Sequence, residues 1–132
     1  MLLILGLGYS GAVLGRAARA EGHAVLGVKR QAADGVLGFD DPALADAIRS
    51  ATHILSSVPP DGASGRDPVL DRFGGLLREH RGWVGYLSST GVYGDTGGAW
   101  VDEASTVGGG RRSARTEADL GWQALGATVF RL

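Results

Sequence analysis

The sequence contains no cysteine and only one lysine, Lys29, beside twelve arginines. The lack of cysteine excludes disulfides, thiolate metal ligands and cysteine nucleophiles. The three histidines, His23, His53 and His80, are not spaced like a helical pair of metal ligands, so we expect no metal site. Because Lys29 stands alone, a catalytic lysine elsewhere in the chain is excluded as well.

Long hydrophobic runs are also missing. The first apolar run, residues 2–5, has no basic region before it and is interrupted at Gly6 and Gly8, so it fits neither a signal peptide nor a membrane span. A net charge of −1 over 132 residues gives no bulk attraction to nucleic acid or to an anionic membrane. We therefore expect a cytoplasmic, single-domain protein with no nucleic-acid partner and no membrane partner.

Glycine, in contrast, is abundant, with 23 residues, and three of them form a G-x-G-x-x-G pattern. The pattern occupies residues 6–11, between the apolar run and a segment rich in helix formers. In a strand–turn–helix setting, Gly6 allows the tight turn, Gly8 lets the backbone approach a pyrophosphate, and Gly11 lets the helix pack on the strand. The predicted cofactor contacts here are Gly6, Gly8, Tyr9, Ser10 and Gly11. A purely structural glycine turn is the alternative.

A second apolar run, residues 23–28, completes a predicted βαβ unit and ends at Lys29 and Arg30. A dinucleotide-binding protein contacts the adenosine ribose at this position. An acidic side chain there binds the ribose hydroxyls of NAD, whereas a basic side chain binds the 2′-phosphate of NADP. The basic pair favours NADP over NAD, since the nearest acid, Asp34, follows several residues later. The alternative is that both side chains are solvated loop charges.

Two later predicted strands end in small or polar residues, where open α/β sheets bind ligands. The first, residues 52–58, places Ser57, Val58 and Pro59 as candidate cofactor contacts, although an ordinary exit from a strand explains them equally well. The second, residues 83–87, leads into Ser89, Thr90 and Tyr93, which could bind a substrate carbonyl or hydroxyl beside a nicotinamide. A turn of small residues is the alternative. The alternation of strands and helices predicts an α/β fold.

Five blocks in this order resemble the extended and atypical short-chain dehydrogenase/reductases, the NAD(P)-dependent epimerase/dehydratase family. They are residues 6–11, Ser57–Pro60, the segment Ser-Ser-Thr-Gly-Val-Tyr-Gly-Asp at 88–95, residues 100–103 and the terminal Val-Phe-Arg-Leu. The resemblance implies a Rossmann fold, a doubly wound parallel sheet in a three-layer α/β/α sandwich, with the cofactor across the carboxyl edge of the strands. It also implies that Ser89 helps to polarise the substrate.

The sequence departs from that family at the proton relay, a tyrosine followed four residues later by lysine. No such pair exists here; Gly109 and Ser113 stand at the corresponding positions. The neighbouring Arg111, Arg112 and Arg115 suit an anion but cannot act as a base near neutral pH. The hypotheses are therefore an NAD(P)-dependent oxidoreductase or epimerase acting on a sugar nucleotide or small carbonyl or hydroxyl compound, or a redox-inert NADP(H)-binding sensor or interaction module.

Length is a second departure, because family members continue beyond the Phe-Arg-Leu strand. We expect residues 1–132 to be a cofactor-binding domain without the C-terminal substrate-binding part. A last strand left uncovered would expose apolar surface, which a homodimer would bury. S-adenosylmethionine is a weaker alternative to a dinucleotide, because Lys29 and Arg30 replace the acid that it would favour.

Overall fold

The computed structural model describes residues 1–108 and 113–132. Strands and helices alternate through this part of the chain except at Val25–Lys29 and Val36–Gly38, two strands with no helix between them, and a short 3₁₀ turn, Thr90–Tyr93, precedes the last helix. The elements are β1 Leu2–Leu5, α1 Tyr9–Ala20, β2 Val25–Lys29, β3 Val36–Gly38, α2 Leu44–Ser50, β4 His53–Ser56, α3 Pro68–Glu79, β5 Trp83–Ser88, α4 Ala114–Ala124 and β6 Thr128–Arg131. Gly109, Arg111 and Arg112 lie outside the described residues.

All six strands are parallel, in the order β3-β2-β1-β4-β5-β6. The chain winds outward from β1 to β3 and returns to the centre at β4. Leu5 is consequently in register with Val28 of β2 on one side and with Ser56 of β4 on the other. The predicted doubly wound parallel sheet is confirmed, and its switch point lies where β1 ends. Open α/β sheets bind their ligands at such a point.

Helices cover both faces of the sheet. Alternate residues of a strand point to opposite faces, so Leu3 and Leu5 face one way and Ile4 the other. Ile4 faces α1, where it lies against Gly11 and Gly15. The opposite face joins Leu3 and Leu5 to α2, α3 and α4 in one buried core, with Leu44, Ile48, Val69, Phe73, Ala118 and Trp122. The predicted three-layer α/β/α arrangement is confirmed.

Asp67 joins two of these helices. Its Oδ1 accepts hydrogen bonds from the amides of Val69 and Leu70 at 2.9 and 3.0 Å and so caps α3. Its Oδ2 accepts the indole N–H of the buried Trp122 from α4 at 2.8 Å. The Trp122 ring also stacks on Tyr86 of β5, with 5.1 Å between centroids. One carboxylate therefore fixes α3 against α4 over the sheet.

The sheet face that carries α1 is only partly covered by the described residues. Three rings lie across β4, β5 and β6, with centroids 6.1 Å apart from His53 to Trp83 and 6.3 Å from Trp83 to Phe130. Trp83 and Phe130 are 37% and 40% exposed. None of the helices in residues 1–108 and 113–132 is long and apolar enough to cross a membrane.

Candidate functional site

The glycine turn at the end of β1 is bonded to both neighbouring strands. The amides of Gly6 and Leu7 donate to the Val28 carbonyl oxygen at 3.1 and 2.8 Å, and Ser57 Oγ donates to the Gly6 carbonyl oxygen at 2.6 Å. Gly6 has a φ of +89°, a backbone conformation that favours glycine. The turn is thus held at the switch point by β2 on one side and by the exit of β4 on the other.

The three glycines of the pattern differ in what surrounds them. A Cβ on Gly6 would lie 2.8 Å from Ser57 Oγ, and one on Gly11 would lie 2.7 Å from the Gly6 carbonyl oxygen and 3.0 Å from Ile4 Cγ2. A Cβ on Gly8 would meet no atom within 4 Å. Gly6 and Gly11 are therefore required by the packing of the chain itself, whereas the space in front of Gly8 is open to a ligand.

The N-terminus of α1 faces the open side of this turn. The helix begins at Tyr9, and Ala12 donates to the Gly8 carbonyl oxygen at 2.9 Å. An α-helix leaves its first amides without intrahelical partners, here including those of Tyr9, Ser10 and Gly11. No side chain caps the helix and no acid lies in its first turn. The turn and the helix dipole together fit an anion such as a pyrophosphate.

A groove of about 1,470 Å³ runs along the carboxyl edge of β1, β2 and β4. The structure brings seven of the predicted cofactor contacts together in its wall: Gly6, Gly8, Lys29, Arg30, Ser57, Val58 and Pro59. Of the other three, Tyr9 is 89% exposed, Ser10 is exposed and Gly11 is buried under the turn. The groove exceeds the roughly 300–1,000 Å³ typical of small-ligand pockets, so it has room for a dinucleotide.

Charged side chains from the segments after β2 and β4 line this groove. Lys29 and Arg30 are exposed, whereas Arg66 is paired with Asp71 at 2.8 Å. Asp61, which follows β4, also lines the groove. The pKa of its carboxyl is below the ordinary value mainly because the Ser64 amide donates a hydrogen bond to it, and the charge of Arg30 makes a smaller contribution. Lys29 and Arg30 are available to an anion in the groove.

The predicted substrate contacts lie elsewhere. Thr90 and Tyr93 line a second cleft, of about 630 Å³, between the 102–103 loop and β6. Ser89 caps the 3₁₀ turn by accepting a hydrogen bond from the Gly91 amide at 3.1 Å. The Tyr93 hydroxyl donates to the Asp102 carbonyl oxygen at 2.9 Å and accepts from Arg131 at 3.1 Å. The Tyr93 hydroxyl is thus hydrogen-bonded to other residues of the chain. The cleft shares no lining residue with the groove at the glycine turn.

A buried carboxylate, Asp119, lies behind this cleft. Arg131 binds both of its oxygens, at 2.9 and 3.1 Å, and the Ser88 hydroxyl and the Gln123 amide each donate to it at 2.6 Å. Burial raises the pKa of Asp119, but the hydrogen bonds from Arg131, Ser88 and Gln123 outweigh it and hold the pKa below the ordinary value. The hydrogen bond to Asp119 in turn raises the pKa of Arg131. The Asp119 carboxylate therefore accepts four hydrogen bonds, which favour its ionised form.

Two residues near the missing proton relay also have structural partners. Ser113, which stands where the family has lysine, caps α4 by accepting from the Thr116 amide at 3.2 Å. Arg115 donates to the Tyr86 hydroxyl at 2.9 Å. Arg111 and Arg112, the other predicted anion contacts, are outside the described residues. Among the described residues, no group of three or more histidines and acids is placed to hold a metal ion.

Several groove residues were not predicted from the sequence. They follow β3 and β4: Phe39, Asp40, Pro60, Asp61, Gly62, Ser64, Arg66, Pro68 and Asp71. Asp41, which follows Asp40, accepts a hydrogen bond from the Ala43 amide at 2.9 Å just before α2. The strand order could have indicated Phe39 and Asp40. Because β3 pairs with β2, the residues that follow β3 must lie beside Lys29 and Arg30.

Comparison with solved structures gives relatives over nearly the whole chain. A conserved protein of unknown function from Silicibacter pomeroyi is 38% identical, with a TM-score of 0.78, and the match covers 98% of this chain and 52% of that one. A protein provisionally described as an NAD-dependent epimerase/dehydratase, from Methylobacillus flagellatus, is 26% identical, with a TM-score of 0.73 and the same coverage. The family resemblance is confirmed. The structural neighbours include proteins described as NAD-dependent epimerase/dehydratases and short-chain dehydrogenase/reductases.

The chain spans about half the length of these two relatives. A short-chain dehydrogenase/reductase superfamily protein from Agrobacterium tumefaciens, solved with bound NAD, shares the fold at 22% identity, a TM-score of 0.67 and coverage of 96% and 44%. Other neighbours below 25% identity were solved with NAD and UDP-glucose or UDP-glucuronic acid, and they likewise show the fold alone. No protein-family model and no curated protein matches the sequence.

Proposed function

We propose that the chain binds a nicotinamide dinucleotide, with its pyrophosphate over Gly8 and the N-terminus of α1. The observation that carries the proposal is the contrast within one turn. Gly6 and Gly11 are enclosed by the chain, whereas Gly8 faces empty space beside free helix amides at the switch point of the sheet. In this arrangement a glycine at position 8 is required for a ligand rather than for folding.

The adenosine end of the dinucleotide lies along β2 in this proposal, and NADP(H) is favoured over NAD(H). Lys29 and Arg30 are exposed at the exit of β2, where the ribose hydroxyls or a 2′-phosphate would be bound. An arginine forms charge-assisted hydrogen bonds with phosphate oxygens. Ser57, Val58 and Pro59 would form the wall on the β4 side. The NAD bound by neighbours leaves the choice between the two cofactors to measurement.

Two functions fit this cofactor site. In the first, the full-length protein is an oxidoreductase or epimerase acting on a sugar nucleotide or small carbonyl or hydroxyl compound, as the ligands of several neighbours suggest. Ser89, Thr90 and Tyr93 would then meet the substrate. In the second, the protein is a redox-inert sensor or interaction module for NADP(H). The bonding of Tyr93 to Asp102 and Arg131, in a chain without a Tyr-x-x-x-Lys pair, favours the second.

Calorimetric titration of the chain with NADPH and NADH tests the cofactor proposal. Both should bind, with NADPH the tighter, and Arg30→Ala should weaken NADPH by about tenfold or more while changing NADH little. Arg16→Ala, which removes an exposed arginine from α1, is the matched control. If neither nucleotide binds to the folded chain, the proposal is wrong.

Turnover separates the two functions. The chain, and its longer form where the gene encodes one, would be incubated with NADPH or NAD and a panel of UDP-sugars, aldehydes and ketones. Consumption of cofactor or interconversion of a sugar would establish the enzyme. Stable binding with no change in either ligand would establish the redox-inert module, since bound cofactor would then be present without chemistry.

We propose a cytoplasmic location, where these cofactors are available. We also propose that the chain forms a homodimer and that the aromatic rings of His53, Trp83 and Phe130 are buried at its interface. The support is the exposure of Trp83 and Phe130 on a sheet face that α1 covers only over the central strands. Light scattering during size-exclusion chromatography should give twice the chain mass, and Phe130→Ser should give the monomer. Val13→Ser, at an apolar α1 residue of similar exposure, is the control.

A further inference from the structure

Arg72 of α3 reaches across to the residues that follow β3. Its Nη1 donates to the Phe39 carbonyl oxygen at 3.0 Å and pairs with the Asp40 carboxylate. Its guanidinium carbon lies 5.3 Å from the centroid of the Phe39 ring and 5.1 Å from that of Phe73. The two rings meet edge to face at 5.7 Å. One side chain therefore holds the backbone, the ring and the carboxylate of the Phe39–Asp40 turn.

The ion pair itself contributes little to folding. The Arg72 and Asp40 side chains are 39% and 89% exposed, and exposed pairs are typically worth about 0–1 kcal/mol. The contacts do, however, restrict the conformation of the turn, because a planar guanidinium packed against both rings and bonded to a backbone carbonyl leaves few alternative positions for Phe39. The main effect of Arg72 is on where Phe39 and Asp40 lie.

Phe39 and Asp40 line the same groove as Gly8 and Arg30. The order of the strands orients a ligand in that groove. A pyrophosphate at the glycine turn is at the end of β1, and a ribose read by Lys29 and Arg30 is at the end of β2. β3 is the next strand outward, so the group beyond the ribose meets the exit of β3. In a dinucleotide oriented in this way, that group is the adenine base.

We propose that Arg72 is a positioning residue, which holds the Phe39–Asp40 turn as the groove wall that receives the adenine base. This inference rests on the proposed cofactor function. Arg72 itself does not line the groove. Its effect is therefore transmitted through Phe39 and Asp40, and it acts on the adenosine half of the ligand only.

The test compares NADPH with adenosine 2′,5′-bisphosphate, which carries only the adenosine half, by calorimetry on Arg72→Met. Both ligands should weaken by the same factor, about five- to tenfold, because the same contact is disturbed in each. Arg72→Lys keeps the charge but loses the planar fork, so an intermediate loss is expected. Arg78→Met, at an exposed arginine on the last turn of the same helix, is the matched control and should bind as the wild type does.

Asp40→Asn gives a second variant that removes the ion pair from its exposed partner and leaves the core intact. It should weaken both ligands by a smaller common factor. The inference is overturned if the wild type binds both ligands and the Arg72 and Asp40 variants bind them unchanged, or if NADPH weakens and the bisphosphate does not. If the wild type binds neither ligand, it is the proposed cofactor function that fails.

Discussion

The Ser57 hydroxyl donates a 2.6 Å hydrogen bond to the Gly6 carbonyl oxygen and so ties the exit of β4 to the exit of β1. The two strands are neighbours at the switch point, and both residues line the proposed cofactor groove. This bond adds to the backbone hydrogen bond from the Ser57 amide to the Leu5 carbonyl oxygen at 2.9 Å. It also orients the peptide between Gly6 and Leu7.

Ser57→Ala is expected to lower both stability and cofactor affinity. Loss of one hydrogen bond costs about 0.5–1.5 kcal/mol, and NADPH should weaken by a comparable amount because the glycine turn is less firmly held. Urea unfolding and calorimetry measure the two effects. Ser50→Ala, which removes an exposed hydroxyl bonded only within its own helix, should leave both within error of the wild type. An unchanged affinity in Ser57→Ala would contradict a role in holding the turn.

Gly11→Ala is expected to destabilise the fold. The added Cβ would lie 2.7 Å from the Gly6 carbonyl oxygen, and such overpacking typically costs about 1–3 kcal/mol. The control is Gly74→Ala in α3, where a Cβ meets nothing within 4 Å and alanine should stabilise the helix by about 0.5–1 kcal/mol. Urea unfolding of both variants is the measurement. A Gly11→Ala protein as stable as Gly74→Ala would show that the turn can relax.

Removing either partner of the buried Asp119–Arg131 ion pair should lower the free energy of unfolding strongly. Asp119→Ala leaves Arg131, only 13% exposed, without its carboxylate, and removal of one partner of a buried pair typically costs about 3–5 kcal/mol. The double variant with Arg131→Met should cost less than the sum of the single variants. Asp46→Ala, in the exposed pair with Arg49 at 2.7 Å, should change stability by no more than about 0.5 kcal/mol. Additive losses at Asp119 and Arg131 would contradict the coupling.

His80 should make stability depend on pH. Its Nε2 is buried and has no hydrogen-bond partner among residues 1–108 and 113–132, and burial lowers the pKa of the ring below 6.5. The folded state then prefers the neutral ring, so this contribution to stability is complete above pH 6.5 and is lost as the pH falls through the folded pKa. Urea unfolding at pH 7.5 and pH 5 should show a smaller loss in His80→Gln than in the wild type. His23→Gln, at an exposed histidine, is the control, and equal losses in all three proteins would contradict the prediction.

Local patterns predicted the α/β class and several residues of the groove, and the family resemblance implied the doubly wound arrangement. The glycine spacing and the basic pair after β2 each act within a few residues, so their positions follow from the sequence. The groove wall that follows β3 could not be predicted in this way. Phe39 and Arg72 are 33 residues apart, and nothing in the sequence indicates that a helix after β4 contacts the exit of β3.

The Asp119–Arg131 pair escaped prediction for the same reason. Arg131 belongs to a strand and Asp119 to a helix, and only packing shows that the two are buried together with Ser88 and that the Tyr93 hydroxyl is bound by Arg131. A tyrosine at the end of such a motif is a reasonable candidate substrate contact until its hydrogen-bond partners are known. Those partners are set by tertiary structure.

The most direct test of the central claim is the titration of Gly8→Asp with NADPH and NADH beside the wild type. Gly8 is the N-cap of α1, where aspartate is a favoured residue, and its φ of −84° suits any side chain, so the variant should be at least as stable as the wild type. Its carboxylate would occupy the place of the pyrophosphate. We predict that binding of both nucleotides is lost while Gly8→Ala shows a partial loss. Wild-type affinity in a folded Gly8→Asp protein would contradict the assignment of the glycine turn to the cofactor.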